Sequence, residues 1–184
     1  MQFILLSGSF HSNSRSLAII EALKPFFDEH TIKVPQLNEL PIYCEDIASD
    51  KPTIIGDFLS ELEAAHGILF CTPEYNHSIP AVLKNAIDWA SRPAFNSVLK
   101  NMPVSFITQA ASPVGGARAQ AHLKLILDST LADIHICHEM MITGVDKIFD
   151  QEMKITDQNV VRRLERHVEG FIRFSEERFK RTDT

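Results

Sequence analysis

Short apolar segments alternate along the chain with longer segments whose apolar residues recur every three or four positions. This alternation is typical of βαβ units around a parallel sheet, so the pattern predicts an α/β fold. We predict five strands, near residues 3–6, 31–34, 67–71, 104–108 and 133–137. The second strand contains Lys33, a charge that is typical of a strand at the edge of a sheet.

Three of the longer segments have a readable helical face. In the first, Ile19 and Leu23 lie on one apolar stripe, and Pro25 is expected to kink the helix or to end it early. A second helix is expected to begin near Pro80, and the last is expected to run from about residue 157 to 179. Helices of this kind cover the faces of a parallel sheet.

The composition indicates a single domain that spans residues 1–184. Hydrophobic residues make up 45% of the chain and charged residues 23%, which excludes disordered and fibrous proteins. We find no internal repeat and no linker that would separate domains. The connections at residues 35–52 and 91–103 are long for a compact domain, and loops of that length are usually functional or mobile.

Charge and chain-end patterns limit the classes of partner. Acidic residues outnumber basic residues 24 to 18, which gives a net charge of −6 and argues against nucleic acid as a partner. The first residues lack the positive region of a signal peptide, and their apolar run is too short to span a membrane. The three cysteines have no paired spacing, as free thiols in a reducing compartment do. We therefore expect a cytoplasmic protein without a membrane partner.

The segment at residues 71–93 is the most informative part of the sequence. It reads Cys-Thr-Pro-Glu-Tyr-Asn-His-Ser-Ile-Pro, followed by a helix that contains Leu-Lys-Asn-Ala-Ile-Asp-Trp. The loop leaves the carboxyl end of a buried strand, which is the edge where open α/β sheets bind ligands. Pro73 and Pro80 stiffen the loop, and the hydroxyl of Ser78 is expected to cap the helix.

Two further segments complete a family resemblance. Gly-Ser-Phe-His-Ser-Asn-Ser-Arg-Ser at residues 8–16 follows the first strand, and Ala-Ser-Pro-Val-Gly-Gly-Ala-Arg-Ala-Gln at residues 111–120 follows the fourth. Together the three segments resemble the NAD(P)H-dependent FMN reductases, a flavodoxin-like family that includes quinone, azo-dye and chromate reductases. The resemblance covers residues 3–174. It implies a five-stranded parallel sheet of order 2-1-3-4-5, helices on both faces, and non-covalently bound FMN.

The resemblance implies that the loop at residues 8–16 binds the FMN phosphate. A dianion needs hydrogen-bond donors and a positive field, which hydroxyl groups and a helix N-terminus can supply. The family pattern usually has Arg at the position of His11 and often Asn at the position of Ser16, so whether His11 or Arg15 contacts the phosphate stays open. The residues expected at this part of the site are Ser9, His11, Ser14, Arg15 and Ser16.

The resemblance also implies two walls for the flavin ring. The loop after the third strand would hold the ring with Pro73, Glu74, Tyr75, Asn76 and Ser78, and the loop after the fourth strand would add Ser112, Gly115 and Gly116. Paired glycines allow a backbone to approach a ring closely. No side chain is expected to be catalytic, because hydride passes to and from N5 of the flavin.

The expected activity is electron transfer from NADPH or NADH, through FMN, to a small-molecule acceptor such as a quinone, a free flavin, an azo compound or an oxidised metal. A ping-pong mechanism and a homodimer or homotetramer are expected from the resemblance. Two alternatives stay open: a flavodoxin-type electron carrier, although the Thr-rich phosphate loop of such carriers is missing here, and a flavin-binding redox sensor without turnover.

Three other features have both a functional and a purely structural interpretation. His135, Cys137 and His138 suggest a metal cluster, but strand alternation would send His138 to the opposite side, and no second ligand pair follows. We therefore expect no metal. Cys71 follows a buried strand and is expected to be inert. Trp89 is compatible with an interface or with simple packing.

Overall fold

The structure is a computed structural model that describes residues 1–182. A parallel sheet forms its centre. The strands are β1 (Gln2–Ser7), β2 (Thr31–Lys33), β3 (Gly67–Pro73), β4 (Pro103–Gln109), β5 (Asp133–Ile134) and β6 (Met140–Ile142). They run in the order β2-β1-β3-β4-β5, and β6 also pairs with β4. This order confirms the flavodoxin-like topology that the resemblance implied.

The fifth position of the sheet is divided between β5 and β6. β5 pairs with the start of β4, where Val104 lies opposite Ile134, and β6 pairs with its end, where Ile107 lies opposite Met140. Between them the chain leaves the sheet, and Ile136 is 93% exposed. The prediction of one strand at residues 133–137 was therefore wrong in its extent, because a polar run at an edge has little apolar burial to hold it in the sheet.

Helices cover both faces of the sheet, as expected. The helices are α1 (Arg15–Leu23), α2 (Glu45–Ala48), α3 (Thr53–Glu63), α4 (Ala81–Ala90), α5 (Ala117–Ser129) and α6 (Gln158–Thr182). Buried residues of β1 alternate between the two cores: Ile4 lies in the core under α3, α4 and α5, and Leu5 lies in the core under α1 and α6. Within residues 1–182, none of them is long and apolar enough to cross a membrane.

A proline sets the end of α1 where the sequence predicted it. α1 ends at Leu23, and a 3-10 turn that contains Pro25 continues the chain. A proline inside a helix removes a hydrogen bond and clashes with the preceding turn, so the α-helical hydrogen-bonding pattern cannot continue past it. The predicted early end of the first helix is confirmed.

The long connection at residues 35–52 is held against α4 by two residues of the segment at residues 71–93. Trp89 is fully buried and donates from Nε1 to the carbonyl of Pro41 at 2.8 Å. Asn85 donates to the same carbonyl at 3.0 Å and accepts from the amide of Tyr43 at 2.8 Å. The ring of Tyr43 packs edge-on against Trp89. Of the two roles weighed for Trp89, packing is the one found within this chain.

Candidate cofactor site

Three loops meet at the carboxyl ends of β1, β3 and β4 and enclose a cavity of about 180 Å³. In a doubly wound sheet this is the edge where ligands bind. The first loop contributes Ser9, His11 and Arg15, the second contributes Pro73, Glu74 and Tyr75, and the third contributes Gln109, Ala110 and Ala111. Six of the sequence-predicted site residues therefore line one cavity.

A glycine brings the first loop close to β3. A Cβ on Gly8 would lie 2.2 Å from Oγ1 of Thr72 and 3.2 Å from its Cα, so only glycine fits without a shift. The amide of Gly8 donates to the carbonyl of Cys71 at 2.9 Å, which continues the pairing of β1 with β3. The loop at residues 8–14 is thereby fixed beside the second loop of the cavity.

Ser14 is the N-cap of α1. Its Oγ accepts from the amide of Leu17 at 3.2 Å and donates to the carbonyl of Ser9 at 2.9 Å. The Ser14 hydroxyl proton is therefore already used, and this side chain fixes the start of the helix beside the cavity. Amides in the first turn of an α-helix have no partner within the helix, and they carry its positive dipole end.

Ser16 corrects one expectation about the phosphate loop. Its side chain is fully buried, and its Oγ accepts from Nε2 of Gln109 at 3.3 Å. Burial raises the pKa of the Cys71 thiol to about 12, and the Ser16 hydroxyl offsets this effect only in part. The Ser16 hydroxyl therefore faces the interior and does not reach the cavity. The high pKa agrees with the expected inertness of Cys71.

His11 and Arg15 supply the basic groups at the cavity. Both are exposed, and Nδ1 of His11 accepts from the amide of Asn13 at 3.2 Å. Arg15 makes no hydrogen bond or ion pair with any residue from 1 to 182, and neither does the hydroxyl of Ser9. These donors are available to an anionic ligand.

A tight turn presents Tyr75 at the second loop. The backbones of Tyr75 and Ser78 exchange two hydrogen bonds of 2.9 Å, and Asn76 and His77 between them have φ angles of 49° and 66°. Positive φ at both central residues is typical of a type I′ turn. Asn76 is exposed at the tip and does not line the cavity, whereas Tyr75 lines it and is 49% exposed.

Side chains of α5 hold this second loop at both ends. Glu74 forms an ion pair with Arg118 at 3.0 Å and accepts from the Arg118 amide at 3.1 Å. Ser78 lies 2.9 Å from Nδ1 of His122. The expectation that Ser78 caps α4 was wrong, because Pro80 is the N-cap and no side chain bonds there.

Glu74 is ionised and has a structural role in this arrangement. Desolvation opposes its charge, but hydrogen bonds from the Arg118 side chain and from the amides of Ala119 and Arg118 outweigh that effect and lower the pKa of Glu74 below its ordinary value of 4.5. A lowered folded-state pKa stabilises the fold at any pH above 4.5, and this contribution is lost only as the pH falls further. The carboxylate is therefore not a free acid at the cavity.

The glycines of the third loop serve the packing of α5. Gly115 and Gly116 have φ angles of 64° and 84°, and a Cβ on Gly116 would lie 2.9 Å from Cβ of Thr108. Thr108 also donates to the carbonyl of Gly115 at 3.2 Å. Ser112, Gly115 and Gly116 do not line the cavity, whose third wall is formed by Gln109 and the two alanines after it.

Gln109 is a site residue that the sequence reasoning missed. It ends the buried strand β4, is 5% exposed, and contacts both the cavity and Ser16. The sequence signal for this residue was a polar side chain at the carboxyl end of a buried strand, which is the edge where such sheets bind ligands.

The chain is similar to several known reductases and oxidoreductases. The chain is 36% identical over 156 residues to an NAD(P)H-dependent FMN reductase of Pseudomonas aeruginosa, which covers 83% of each chain. It is 35% identical over 125 residues to a 2-hydroxy-1,4-benzoquinone reductase of a Burkholderia species, covering 67% of this chain and 68% of that one. The solved structure of FerB, a flavoenzyme NAD(P)H:(acceptor) oxidoreductase from Paracoccus denitrificans, superposes with a TM-score of 0.88 at 26% identity over 96% and 98% of the two chains.

A family match extends over most of the fold. Residues 1–144, which include β1 to β6 and all three loops of the cavity, match the NADPH-dependent FMN reductase family. The expected enzyme class and the expected cofactors, FMN and a nicotinamide nucleotide, are confirmed at the level of this family. By this match and by the two relatives above 30% identity, the chain belongs to the NADPH-dependent FMN reductase family.

Proposed function

We propose that the protein binds FMN at the three-loop cavity and transfers electrons from NADPH or NADH to a quinone or another small acceptor. The single observation that carries this proposal is the convergence on one cavity of a helix N-terminus, an arginine without a partner among residues 1–182, and a half-exposed tyrosine. Family membership supports the same reaction class. Free flavin, azo compounds and oxidised metals are further candidate acceptors.

The residues present fit an FMN phosphate. Arg15 and the Ser9 hydroxyl line the cavity without partners among residues 1–182, and α1 begins at Arg15, so the positive dipole end of the helix lies beside them. A phosphate needs several donors and a positive local field, and this combination supplies both. Glu74, the only carboxylate among the described residues that line the cavity, is neutralised by Arg118 and does not repel an anion.

The second loop fits one side of a flat ring. Tyr75 offers an aromatic surface and Pro73 a rigid apolar one. The cavity of about 180 Å³ is smaller than the roughly 300–1,000 Å³ of pockets that enclose drug-sized ligands. We infer that only part of the cofactor is enclosed, which leaves a ring face open to a second ligand.

The protein's contribution to the reaction is binding and orientation. FMN, when bound, accepts and donates hydride equivalents. Arg15, Ser9 and the α1 N-terminus fix one end of the ligand, and Tyr75 with the turn at residues 75–78 fixes the other. Holding two reactants in one geometry removes much of the entropic barrier to their reaction.

If one open face serves donor and acceptor in turn, initial rates should follow a ping-pong pattern. We expect parallel lines in double-reciprocal plots of rate against NADPH concentration at several fixed quinone concentrations. The measurement is a steady-state assay of NADPH oxidation. Intersecting lines would show that donor and acceptor bind together, and the single-face mechanism would then be rejected.

Anaerobic mixing separates this proposal from the two alternatives. We expect NADPH or NADH to bleach the bound flavin within one mixing cycle, and a quinone to restore its colour repeatedly. A flavodoxin-type carrier would stay oxidised with either nucleotide, because it needs a protein donor. A sensor without turnover would not support repeated cycles with excess acceptor.

Tyr75→Ala should weaken FMN binding about tenfold. An aromatic contact is worth about 0.5–1.5 kcal/mol beyond the burial of its area, and about 1.4 kcal/mol is a factor of ten in a dissociation constant. The measurement is the quenching of FMN fluorescence on titration with protein. Tyr75→Phe keeps the ring and should bind FMN like the wild type, and so should Lys84→Ala, whose side chain pairs with Asp88 on α4. If Tyr75→Ala matches these controls in affinity and turnover, the second loop does not hold the ring.

A further inference from the structure

Three side chains of types that can bind metals meet outside the cofactor cavity. His135 follows β5, Cys137 lies in the segment between β5 and β6, and His167 projects from α6. One ligand atom from each residue lies within 4.8 Å of the others. We call these three residues the trio. None of them lines the cofactor cavity.

We propose that the trio binds one zinc ion. The inference goes beyond the proposed flavin chemistry and does not depend on it. The sequence argued against a metal on two grounds: His138 would lie on the opposite side of the strand, and no second ligand pair follows. In the structure His138 is not part of the trio, and the third side chain comes instead from α6, which supplies His167.

The distances within the trio suit a tetrahedral site. Zinc binds imidazole nitrogen at about 2.0–2.1 Å and thiolate sulfur at about 2.3 Å, so adjacent ligand atoms in a site with one sulfur lie roughly 3.3–3.6 Å apart. Sγ of Cys137 is 3.8 Å from Nδ1 of His167. Side-chain movements of about 1 Å would close the longest separation to the values that this geometry requires.

A buried serine holds both imidazoles in place. Oγ of Ser105, on β4, lies 2.9 Å from Nε2 of His167 and 3.2 Å from Nδ1 of His135. Since His167 uses Nε2 for this contact, its Nδ1 is the nitrogen that faces the thiol. Metal-binding histidines usually bond through their second nitrogen to such a partner, which fixes the ring orientation.

A helix glycine leaves room for His135. A Cβ on Gly170, one turn after His167 on α6, would lie 3.3 Å from Cε1 of the His135 ring. Glycine inside a helix costs about 1 kcal/mol relative to alanine. Here it allows the His135 imidazole to lie against the helix, close to His167.

The trio is accessible to an ion from solvent. His167 is buried, His135 is half-buried and Cys137 is exposed, so the site extends from the interior to the surface. His135 and Cys137 also line two grooves, of about 630 Å³ and about 530 Å³. A fourth coordination position could therefore be filled by water, as in zinc sites with three protein ligands.

Zinc binding to the full-length, FMN-loaded protein tests the proposal. We expect calorimetric titration with zinc chloride to give one zinc per chain. Cys137→Ser should weaken binding by about a hundredfold or more, since loss of an outer-shell partner alone costs about 10- to 100-fold. Cys44→Ser removes another exposed free cysteine and should bind zinc like the wild type. No zinc binding, or equal affinity in the wild type and Cys137→Ser, would overturn the site.

Thiol labelling locates the ion without any substitution in the trio. Iodoacetamide should modify Cys44 and Cys137, which are exposed, and spare Cys71, which is buried. We expect zinc to slow the modification of Cys137 about tenfold or more, as measured by peptide mass spectrometry, because a metal-bound thiolate is occupied. Protection of Cys44 alone, or of neither thiol, would contradict zinc binding at the trio.

Discussion

Trp89→Ala should lower the free energy of unfolding by about 3–5 kcal/mol, the range for truncating a large aromatic in a core. Trp89 is fully buried, and its Nε1 donates to the carbonyl of Pro41. The substitution leaves a void under the connection at residues 35–52 and removes a hydrogen bond that holds it. A typical domain has a free energy of unfolding of only about 5–15 kcal/mol, so the loss would be a large part of the total.

Urea denaturation monitored by circular dichroism measures this loss. Trp89→Phe keeps most of the side-chain volume and should therefore cost less than Trp89→Ala. In both variants Asn85 still donates to the Pro41 carbonyl. If Trp89→Ala changes the free energy of unfolding by under about 1 kcal/mol, the connection is not held through this side chain.

Arg15→Ala should weaken FMN about ten- to a hundredfold and leave riboflavin nearly unchanged. Hydrogen bonds to charged groups contribute about 1.5–3 kcal/mol, and riboflavin lacks the phosphate that would receive them. The effect should shrink as salt is added, because Arg15 is exposed and its charge is screened. Parallel titrations of the two flavins, at low and high salt, provide the measurement.

The same assay decides between the two basic residues of the first loop. Arg15→Lys keeps the charge and should recover part of the affinity for FMN. If His11→Ala gives the phosphate-selective loss and Arg15→Ala does not, His11 is the contact. Equal weakening of FMN and riboflavin by Arg15→Ala would show that the residue acts on the fold of the loop and not on the phosphate.

The sheet order was implied by the family resemblance, whereas the location of the site could be predicted from a motif with local geometry. The loop at residues 71–93 has to leave the end of a buried strand, whatever the rest of the fold does. The inward direction of Ser16 was also readable, since it shares a helical stripe with Ile19, Ile20 and Leu23. A hydroxyl on that stripe points to the core, and the polar composition of the loop concealed this.

Other features depend on contacts between distant parts of the chain and could not be predicted. The partner of Ser78 is His122, which lies on a helix that begins 39 residues later. His135, directly after β5, packs its ring against Phe174 of α6, a helix that begins more than 20 residues after that strand. Local periodicity carries no information on either contact.

The ties between α5 and the second loop have a consequence for binding kinetics. Arg118 and His122 lie one turn apart on α5 and hold Glu74 and Ser78 before any ligand arrives. Little loop entropy then remains to be lost when a ligand binds, so more of the contact energy is available as affinity. Association should be governed by diffusional encounter and not by a slow rearrangement, and the loop should have the same conformation with and without ligand.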